Sequence, residues 1–363
     1  MSDRPLFDPA DFRIPPGVAH VCAGGETAFL LRHDDALLRY AIDKSNGMPG
    51  RTAQEAQVER ARAGVARLWG VTADEIGFVS NVAEGVSIVA ESLDWRDGDN
   101  ICIGAIEYPS VVAPFALRRG VELRIAPGMM VDVNKRTRII GVSYVSYLTG
   151  ERADLAALRR LADSVGALLV VDFTQAAGYL PIEAAVADFA FSACYKWLLG
   201  MTGVAVACWN RTRQPDWAPR SAGWHSLAPG DRGWDSAPVL RDDAMRFTRG
   251  NPAHGPVYVL ADALDYLAQF DGLAVQRHVQ ALTVALLQRL QALQISSTTP
   301  ADPAQHGASV CIARANAQAI TDALYAQGVY AWNGHGRVRF SFHGYNTMAD
   351  VDRIVEALRP LRI

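Results

Sequence analysis

A helical pattern that runs directly into a buried strand is the feature that most constrains the fold of this chain. Residues 154–165 carry apolar side chains at helical spacing, and Gly166 stands where a glycine commonly ends a helix. Residues 167–172, Ala-Leu-Leu-Val-Val-Asp, then form an almost entirely apolar run of strand length. Strands that alternate with helices in this way indicate a mostly parallel sheet with helices on both faces.

The same alternation recurs upstream and indicates one large α/β domain, which we assign to residues 18–254. The remaining patterns in it predict helices at 55–68 and 83–93 and strands at 76–80, 100–103 and 138–142. Residues 215–243 are rich in Trp, Pro, Gly and Asp without a clear period, which predicts a long surface excursion.

A change of pattern marks a smaller C-terminal domain. We assign residues 255–363 to an α+β domain that packs with an N-terminal arm, residues 1–17. Its patterns predict helices at 257–270, 273–293, 317–327 and 348–358 and strands at 308–313 and 337–342. Thr347 and Asp350 have the spacing of a capping box for the last helix.

A lysine in apolar surroundings is the strongest candidate for chemistry. Lys196 closes the run of apolar and small residues 188–195 and is followed directly by Trp-Leu-Leu-Gly. Desolvation of an ammonium favours the neutral amine, which can attack a carbonyl and form an imine. The simpler interpretation is a lysine whose stem packs on apolar neighbours while its head stays in water.

A carboxylate and an amide precede this lysine at the end of a predicted strand. Asp172 ends the apolar run, and Gln175 follows in the next turn. Such a carboxylate can pair with a protonated ring nitrogen, and pyridoxal 5′-phosphate (PLP) uses both an imine-forming lysine and an acidic partner. Asp172 alone is equally typical of a helix N-cap. The order of Asp172, Gln175 and Lys196 on successive strands predicts a PLP site.

A turn before a predicted helix is a candidate anion site. Residues 80–85, Ser-Asn-Val-Ala-Glu-Gly, join a short apolar strand to a helix, so that the first helical amides point beyond the sheet edge. Such an end binds phosphate through backbone N–H groups and the helix dipole. An ordinary capped helix is the alternative, and a nucleotide-binding α/β protein using this turn is a second function class. The chain has neither a GxxxxGK motif nor a GxGxxG motif after a strand.

Two further residues could contact a cofactor or a substrate. Tyr108, in Glu107-Tyr-Pro-Ser110, could lie flat on a ring held by Asp172, although a tyrosine beside a proline is also typical of loop packing. Arg339, in a predicted strand, could hold a carboxylate in a bidentate pair, or it could belong to a solvated strand face.

Composition excludes several other classes. The 363 residues are 50% hydrophobic and 20% charged, with 35 basic and 38 acidic residues in no long run of one sign, which gives no support for nucleic acid or a membrane as a partner. Five cysteines, without zinc-ligand spacing, indicate a reduced, metal-free and cytoplasmic protein. No secretory signal and no apolar stretch of spanning length is visible.

Several motifs together resemble those of the class V group of fold-type I PLP enzymes, which includes cysteine desulfurases, isopenicillin N epimerase-like proteins, kynureninase and some aminotransferases. The likeness covers nearly the whole chain, from Cys22-Ala-Gly-Gly25 to Tyr345-Asn-Thr347. Its strongest parts are Glu107-Tyr-Pro-Ser110, Gly150-Glu-Arg-Ala-Asp-Leu155, Val171-Asp-Phe-Thr-Gln175, Tyr195-Lys-Trp-Leu-Leu-Gly200 and Arg339-Phe-Ser-Phe-His-Gly-Tyr-Asn346.

The resemblance implies a PLP-dependent transferase-like fold and a role for each candidate residue. Lys196 would hold PLP covalently, Asp172 would pair with the pyridine nitrogen, and Gln175 would contact the phenolic oxygen. Tyr108 would stack on the ring, and Arg339 would bind the α-carboxylate of an amino acid. The phosphate would lie on the amides of Val82 and Ala83, with help from Tyr195 and from Asn251 of the neighbouring subunit. The resemblance thus also implies a homodimer with active sites at its interface.

This sequence departs from the family pattern in ways that bear on the reaction. Ala83, Ala193, Tyr195 and Asn251 replace residues that in many relatives carry a hydroxyl or an imidazole near the phosphate, and Tyr147 stands where an Asn often faces the ring oxygen. Cysteine desulfurases carry a nucleophilic Cys shortly before the carboxylate-binding Arg. Here that segment, 328–337, contains none, and Cys311 in the preceding strand is expected to be a core residue.

The expected function is PLP-dependent chemistry at Cα of an amino acid, with Lys196 as the base that removes the Cα proton. Transamination needs no further group and ranks first, a lyase that eliminates a β-substituent such as sulfur ranks second, and an epimerase third. Arg51, Trp224 and His225 could line the pocket or could belong to the surface or a subunit interface.

Overall fold

The computed structural model describes residues 4–128, 132–234 and 237–361. Its helices are α1 (His33–Ser45), α2 (Gly47–Trp69), α3 (Val82–Ser92), α4 (Pro109–Ala116), α5 (Leu155–Val165), α6 (His254–Leu267), α7 (Gly272–Ala292), α8 (Ala317–Ala326) and α9 (Met348–Leu358). Its strands are β1 (Ala19–His20), β2 (Ile76–Val79), β3 (Asn100–Gly104), β4 (Glu122–Ala126), β5 (Thr137–Ser143), β6 (Leu168–Asp172), β7 (Phe189–Ala193), β8 (Ala205–Trp209), β9 (Ser309–Ala313), β10 (Val329–Tyr330), β11 (Trp332–Gly334) and β12 (Arg337–Ser341).

A mostly parallel sheet forms the centre of the large domain. Among the described residues its strand order is β2-β8-β7-β6-β5-β3-β4, and β8 alone runs antiparallel to its neighbours. Four of the five residues of β6 are buried, because helices cover both faces of such a sheet. The α/β fold class predicted from the alternating pattern is therefore confirmed.

Local sequence explains how the αβ unit before β6 forms. The Asp154 side chain accepts a hydrogen bond of 2.9 Å from the Ala157 amide and caps the start of α5. Gly166 ends the helix in the left-handed region, at φ 71°, where a glycine carries no steric penalty. The chain then enters β6 directly and carries Asp172 to the edge of the sheet.

Some elements differ from the sequence prediction. Helix α2 begins at Gly47, well before the predicted start at residue 55, because a proline in the first helical turn loses no hydrogen bond. Helices α1 and α4 and strands β4 and β8 were not predicted. Strand β4 has little burial, and β8 follows a turn without a clear period, so neither had a strong local pattern.

The smaller domain has an antiparallel sheet of β11, β12 and β9 with α7, α8 and α9 packed around it. The N-terminal segment packs on this domain, since the amides of Leu6 and Phe7 both donate to the Gly344 carbonyl at 2.8 Å and β1 pairs with β10. The predicted capping box is present, with the Thr347 amide donating to the Asp350 carboxylate at 2.9 Å. The domain boundaries themselves remain a prediction.

The surface excursion predicted at 215–243 has only short helical turns among its described residues, and it exposes Trp224 and Trp234 while burying Trp217.

None of the helices in the described part of the chain is long and apolar enough to cross a membrane.

Candidate active site

The candidate residues meet at the carboxyl edge of the central sheet. Asp172 ends β6, Lys196 follows β7, and Tyr147 follows β5, the strand that pairs with β6 on its other side. Tyr108 begins α4 in the connection after β3. Because parallel strands all end at one edge, loops from distant parts of the sequence converge there, and this edge is where open α/β sheets bind ligands.

Lys196 lies in a tight turn at the end of β7. The Leu199 amide donates to the Lys196 carbonyl at 2.9 Å, and the Gly200 amide donates to the Cys194 carbonyl at 2.8 Å. Leu199 has a φ of 59°, a left-handed conformation that is unfavourable for a residue with a side chain. Such local strain is maintained only by surrounding packing, and it lies here in the turn that carries Lys196.

The surroundings of Lys196 favour its neutral form. The residue is 6% exposed, and burial, with the positive charge of Arg339 as the next cause, lowers the pKa of its ammonium to about 8. The carboxylates of Asp172 and Glu26 oppose this shift. A lysine of this kind can act as a nucleophile or as a base near neutral pH.

Asp172 is a buried carboxylate at the end of β6. It is 4% exposed and accepts a hydrogen bond of 2.8 Å from the Thr174 amide. Burial raises its pKa, while the hydrogen bonds of Thr174 and the charge of Lys196 lower it. No cation forms an ion pair with it within residues 4–128, 132–234 and 237–361. A protonated ring nitrogen placed here would stabilise the ionised form.

Aromatic rings surround the lysine amine. The Lys196 Nζ atom lies 5.4 Å from the ring centroid of Tyr108 and 5.4 Å from that of Tyr195. Tyr147 meets Tyr108 edge to face, with ring centroids 4.9 Å apart. Tyr108 thus has its ring fixed from one side beside the amine, as stacking on a flat cofactor would require.

The start of α3 offers free backbone donors. Asn81 caps this helix by accepting a hydrogen bond of 2.9 Å from the Glu84 amide. The amides of Val82 and Ala83, the first two of the helix, have no hydrogen-bond partner among the described contacts. Free amides at a helix N-terminus bind phosphate without any side-chain hydroxyl, which suits the absence of a threonine at position 83.

Arg339 is a buried cation without a carboxylate partner in the described part of the chain. It is 2% exposed, its Nη1 donates to the Tyr147 carbonyl at 2.7 Å, and its guanidinium stacks on the Trp332 ring at 4.3 Å. Within the described residues its Nε atom has no hydrogen-bond partner, and burial lowers the pKa of the group. A buried, partly unsatisfied guanidinium is a ready receptor for a ligand carboxylate.

Two predicted residues are engaged in ways that the sequence did not indicate. The amide of Gln175 donates to the Gly24 carbonyl at 2.8 Å and accepts from the Trp197 indole at 3.2 Å, which leaves one N–H for a ligand. Asn251 is exposed, accepts a hydrogen bond of 2.5 Å from Arg51, and helps to line a cavity of about 180 Å³ near Ser80. An exposed position suits a contact made with another subunit.

The three candidate pocket residues form a group around Asn251. The Arg51 guanidinium lies 5.8 Å from the Trp224 ring and 2.8 Å from the Glu55 carboxylate. His225 is buried, with its Nε2 atom 3.9 Å from Glu55. No contact that the structure gives joins this group to Lys196 within one chain.

Sequence reasoning missed three ionisable residues beside Lys196 or Asp172. Glu107 is buried and accepts hydrogen bonds from the amides of Ser143 and Tyr108, each at 2.7 Å, and from the Ser143 hydroxyl. Cys22 and Glu26 are among the charged or ionisable groups that act on Lys196. Glu107 and Cys22 both belong to motifs noted in the sequence, but only the fold brings Glu107 near Asp172 and Cys22 near Lys196.

The segment before Arg339 has no space for a reactive cysteine loop. Strands β11 and β12 are joined by His335 and Gly336, whose φ angles of 50° and 66° form the tight two-residue turn of a hairpin. Cys311, paired with Arg339 across the sheet, is 1% exposed, and burial raises the pKa of its thiol to about 11. It is a core residue, as the sequence predicted.

The arrangement fits a phosphorylated aromatic aldehyde together with an amino acid. The chain offers an amine for the aldehyde, a carboxylate for a ring nitrogen, free amides for a phosphate and a guanidinium for a substrate carboxylate. Among the described residues no three His, Cys, Asp or Glu side chains are placed to hold a metal ion.

Comparisons with known proteins give a consistent result. The sequence model of the aminotransferase class-V family matches residues 39–354. A probable cysteine desulfurase of Methanothermobacter thermautotrophicus is 27% identical over 345 residues, which cover 84% of each chain. A cysteine desulfurase of Klebsiella pneumoniae is 29% identical over 331 residues, which cover 80% of this chain and 79% of the relative.

Solved structures show the same fold. A structure of C-DES with glycine covalently linked to its PLP cofactor has a TM-score of 0.88 and 20% identity and covers 97% of this chain and 99% of its own. A complex of the cystine C-S lyase C-DES with its reaction product cysteine persulfide has a TM-score of 0.86 and 20% identity, with coverage of 95% and 98%. This similarity confirms the fold-type I architecture predicted from the sequence.

Proposed function

The chain belongs to the aminotransferase class-V family of PLP-dependent enzymes, and from this we propose that it is a lyase that breaks the Cβ–S bond of a cysteine-type amino acid. The predicted family, enzyme class and cofactor are thereby confirmed. The relatives favour the lyase alternative over the transamination that ranked first on sequence alone, since both curated relatives are named cysteine desulfurases.

The position of Arg339 beside Lys196 is the observation that carries this proposal. Both are buried, and the charge of Arg339 is one of the causes that lower the pKa of Lys196. A substrate whose carboxylate binds Arg339 therefore has its Cα close to a base. Since segment 328–337 lacks a cysteine, the protein offers no nucleophile at the usual position, and elimination of the sulfur group requires none.

The residues that would hold PLP follow from the contacts described above. Lys196 would bind it covalently, Asp172 would face the ring nitrogen, Gln175 the ring oxygen and Tyr108 the ring face. Val82, Ala83 and Tyr195 would bind the phosphate. When bound, PLP supplies the electron sink that makes a Cα–H bond acidic.

The chain's own groups account for the remaining steps. Arg339 fixes the substrate carboxylate, and Trp332 and Tyr147 hold that guanidinium in place. Its lowered pKa of about 8 puts the neutral amine of Lys196 within reach near physiological pH, and in that form Lys196 removes the Cα proton. The sulfur group at Cβ then departs with its electrons, and the ammonium of Lys196 is the proton source for it.

We also propose a homodimer. Leu38, Ile42 and Met48 are 59%, 59% and 76% exposed on α1 and the start of α2, which leaves an apolar helix face for a second copy. In a dimer Asn251 would reach the partner's phosphate site.

A product assay separates the candidate reactions. Purified holoenzyme is incubated with L-cystine or L-cysteine, with and without a 2-oxo acid as amino acceptor. Pyruvate and ammonia released without acceptor support the lyase. A 2-oxo acid that forms only with acceptor supports transamination instead, and loss of optical activity without either product supports an epimerase. Lys196→Ala is the inactive control.

A further inference from the structure

Cys22 is placed differently from the other four cysteines of the chain. Cys102, Cys194, Cys208 and Cys311 are buried, whereas Cys22 is only partly buried. All five lie within the described residues, so Cys22 is the least buried cysteine of the chain.

Packing brings the Cys22 sulfur to the substrate side of the site. A β-carbon built on Gly25 would lie 3.1 Å from Cys22 Sγ and 2.9 Å from Cδ1 of Trp332, so the sulfur and the indole pack against the same glycine. That indole stacks on the Arg339 guanidinium at 4.3 Å. The backbone of Cys22 also bridges to Ser341, two residues beyond Arg339.

A second, independent observation points to a ligand here. The Nε atom of Arg339 has no hydrogen-bond partner in the described part of the chain, and the residue is 2% exposed. A bound carboxylate would satisfy it. Trp332 stacks on Arg339 and packs beside Gly25 and Cys22, so these residues border the position that an amino acid bound to Arg339 would take.

Resting on the proposed C–S lyase function, we infer that Cys22 accepts the sulfane sulfur of the released persulfide and carries it as a protein-bound persulfide. The chain thus has a sulfur-carrying cysteine on its N-terminal segment, in place of one on the segment before Arg339, where the hairpin excludes it.

The step balances without an oxidant or a reductant. Cys22–SH reacts with a small persulfide R–S–SH to give Cys22–S–SH and R–SH. A bond forms between Cys22 Sγ and the terminal sulfur, the S–S bond of the small persulfide breaks, and the thiol proton passes to the leaving thiolate.

The surroundings of Cys22 are compatible with this exchange. Burial raises the pKa of its thiol, while the amides of Glu26 and Gly25 and the charge of Arg339 act in the opposite direction. Burial thus favours the thiol form of Cys22, while the neighbouring amides and Arg339 stabilise the thiolate through which the exchange proceeds.

Peptide mass spectrometry tests the inference. Holoenzyme is incubated with L-cystine, alkylated with iodoacetamide and digested, and pyruvate is measured in the same sample. We expect the Cys22 peptide to gain the mass of one sulfur atom and to lose it with dithiothreitol. Protein-bound sulfane sulfur should disappear in Cys22→Ser and persist in Cys208→Ser, a matched change of a buried cysteine.

A second arm of the experiment adds cysteine persulfide directly, so that failure of the lyase proposal can be told from failure of the Cys22 inference. If pyruvate forms but Cys22 stays unlabelled in both arms, the inference is wrong and the lyase proposal stands. If no pyruvate forms, the lyase proposal fails, and the added persulfide still reports whether Cys22 accepts sulfur. Labelling of Cys208 or Cys311 instead of Cys22 would also overturn the inference.

Discussion

The Nε2 atom of His343 donates a hydrogen bond of 3.0 Å to the carbonyl oxygen of Trp197, the residue that follows Lys196. The Gly344 amide donates to Nδ1 at 2.9 Å, which assigns the proton of the neutral ring to Nε2. His343 lies four residues beyond Arg339 and is fully buried. One side chain thus connects the segment after β12, the strand of Arg339 and of the proposed carboxylate receptor, to the turn of Lys196, the proposed base.

Replacing His343 should therefore change the geometry between base and substrate. We expect His343→Ala to lower kcat/KM by roughly 10-fold or more, because both hydrogen bonds are lost inside the core. Steady-state kinetics with cystine measures this, and His278→Ala, a change of a half-buried histidine on α7, is the control. Unchanged kinetics in a folded His343→Ala protein would contradict the positioning role.

Acid should destabilise the protein through buried histidines. Burial lowers the pKa of His343 to about 4, and that of His33 to about 4, whereas an unfolded chain protonates histidine near ~6.5. Between these values the unfolded state binds more protons, so the free energy of unfolding should fall as pH drops from about 6.5 through about 4. Urea titrations at stepped pH measure this, and His343→Asn should flatten the dependence. An equal slope in both proteins would contradict the assignment.

Reduction with borohydride should attach PLP to one lysine. The chain has three lysines, Lys44, Lys135 and Lys196, and only Lys196 combines burial with a pKa lowered to about 8. We expect peptide mapping to find the reduced adduct on Lys196, with the peptides of the other two as internal controls. Formation of the adduct should speed up as pH rises through about 8, because the neutral amine is the nucleophile. Label on Lys44 or Lys135 would refute the assignment.

Arg339→Lys should mainly weaken substrate binding. A lysine cannot reproduce the planar contact with Trp332 or a bidentate carboxylate pair, so kcat/KM should fall by about 100-fold, chiefly through KM. Arg337→Lys, on the same strand and less buried, is the matched control and should change KM little. Equal losses in the two variants would indicate a general effect on β12.

Asp172→Asn should lower the activity of the enzyme without lowering its stability. Removal of a buried charge without an ionic partner should leave stability equal or higher, since the desolvation cost disappears. Activity should fall by roughly 100-fold or more, because a neutral amide cannot stabilise a protonated ring nitrogen. Thermal unfolding of the apoprotein and holoenzyme kinetics test the two halves. Retained activity would remove Asp172 from the proposed site.

Charge on the exposed apolar face formed by α1 and the start of α2 should dissociate the proposed dimer. We expect Ile42→Asp combined with Met48→Asp to shift the mass measured by light scattering towards the monomer and to weaken PLP affinity, because Asn251 then has no partner site. Leu117→Asp, at a residue that is 89% exposed elsewhere, is the control. A monomer with full PLP affinity would contradict a PLP site shared between two subunits. An unchanged dimer would show that this helix face is not the dimer interface.

Local sequence patterns determined the main structural elements of this protein. The alternation that ends in Gly166 and the apolar run to Asp172 predicts the central αβ unit, since helix and strand periods and a glycine stop are properties of neighbouring residues. The same holds for the capping box of α9 and for Lys196 after a buried strand. These features suffice to predict the fold class and to identify Asp172 and Lys196, the two residues on which the proposed site is built.

Only the tertiary structure decided what surrounds that pair. The antiparallel direction of β8, the hydrogen bond from His343 to Trp197, the stacking of Trp332 on Arg339 and the approach of Cys22 all join segments far apart in sequence. No short-range pattern encodes them, because they depend on how loops converge at one edge of a closed core. A pKa lowered to about 8 at Lys196 is likewise a property of that assembled surface, since burial and the charge of Arg339 arise only after folding.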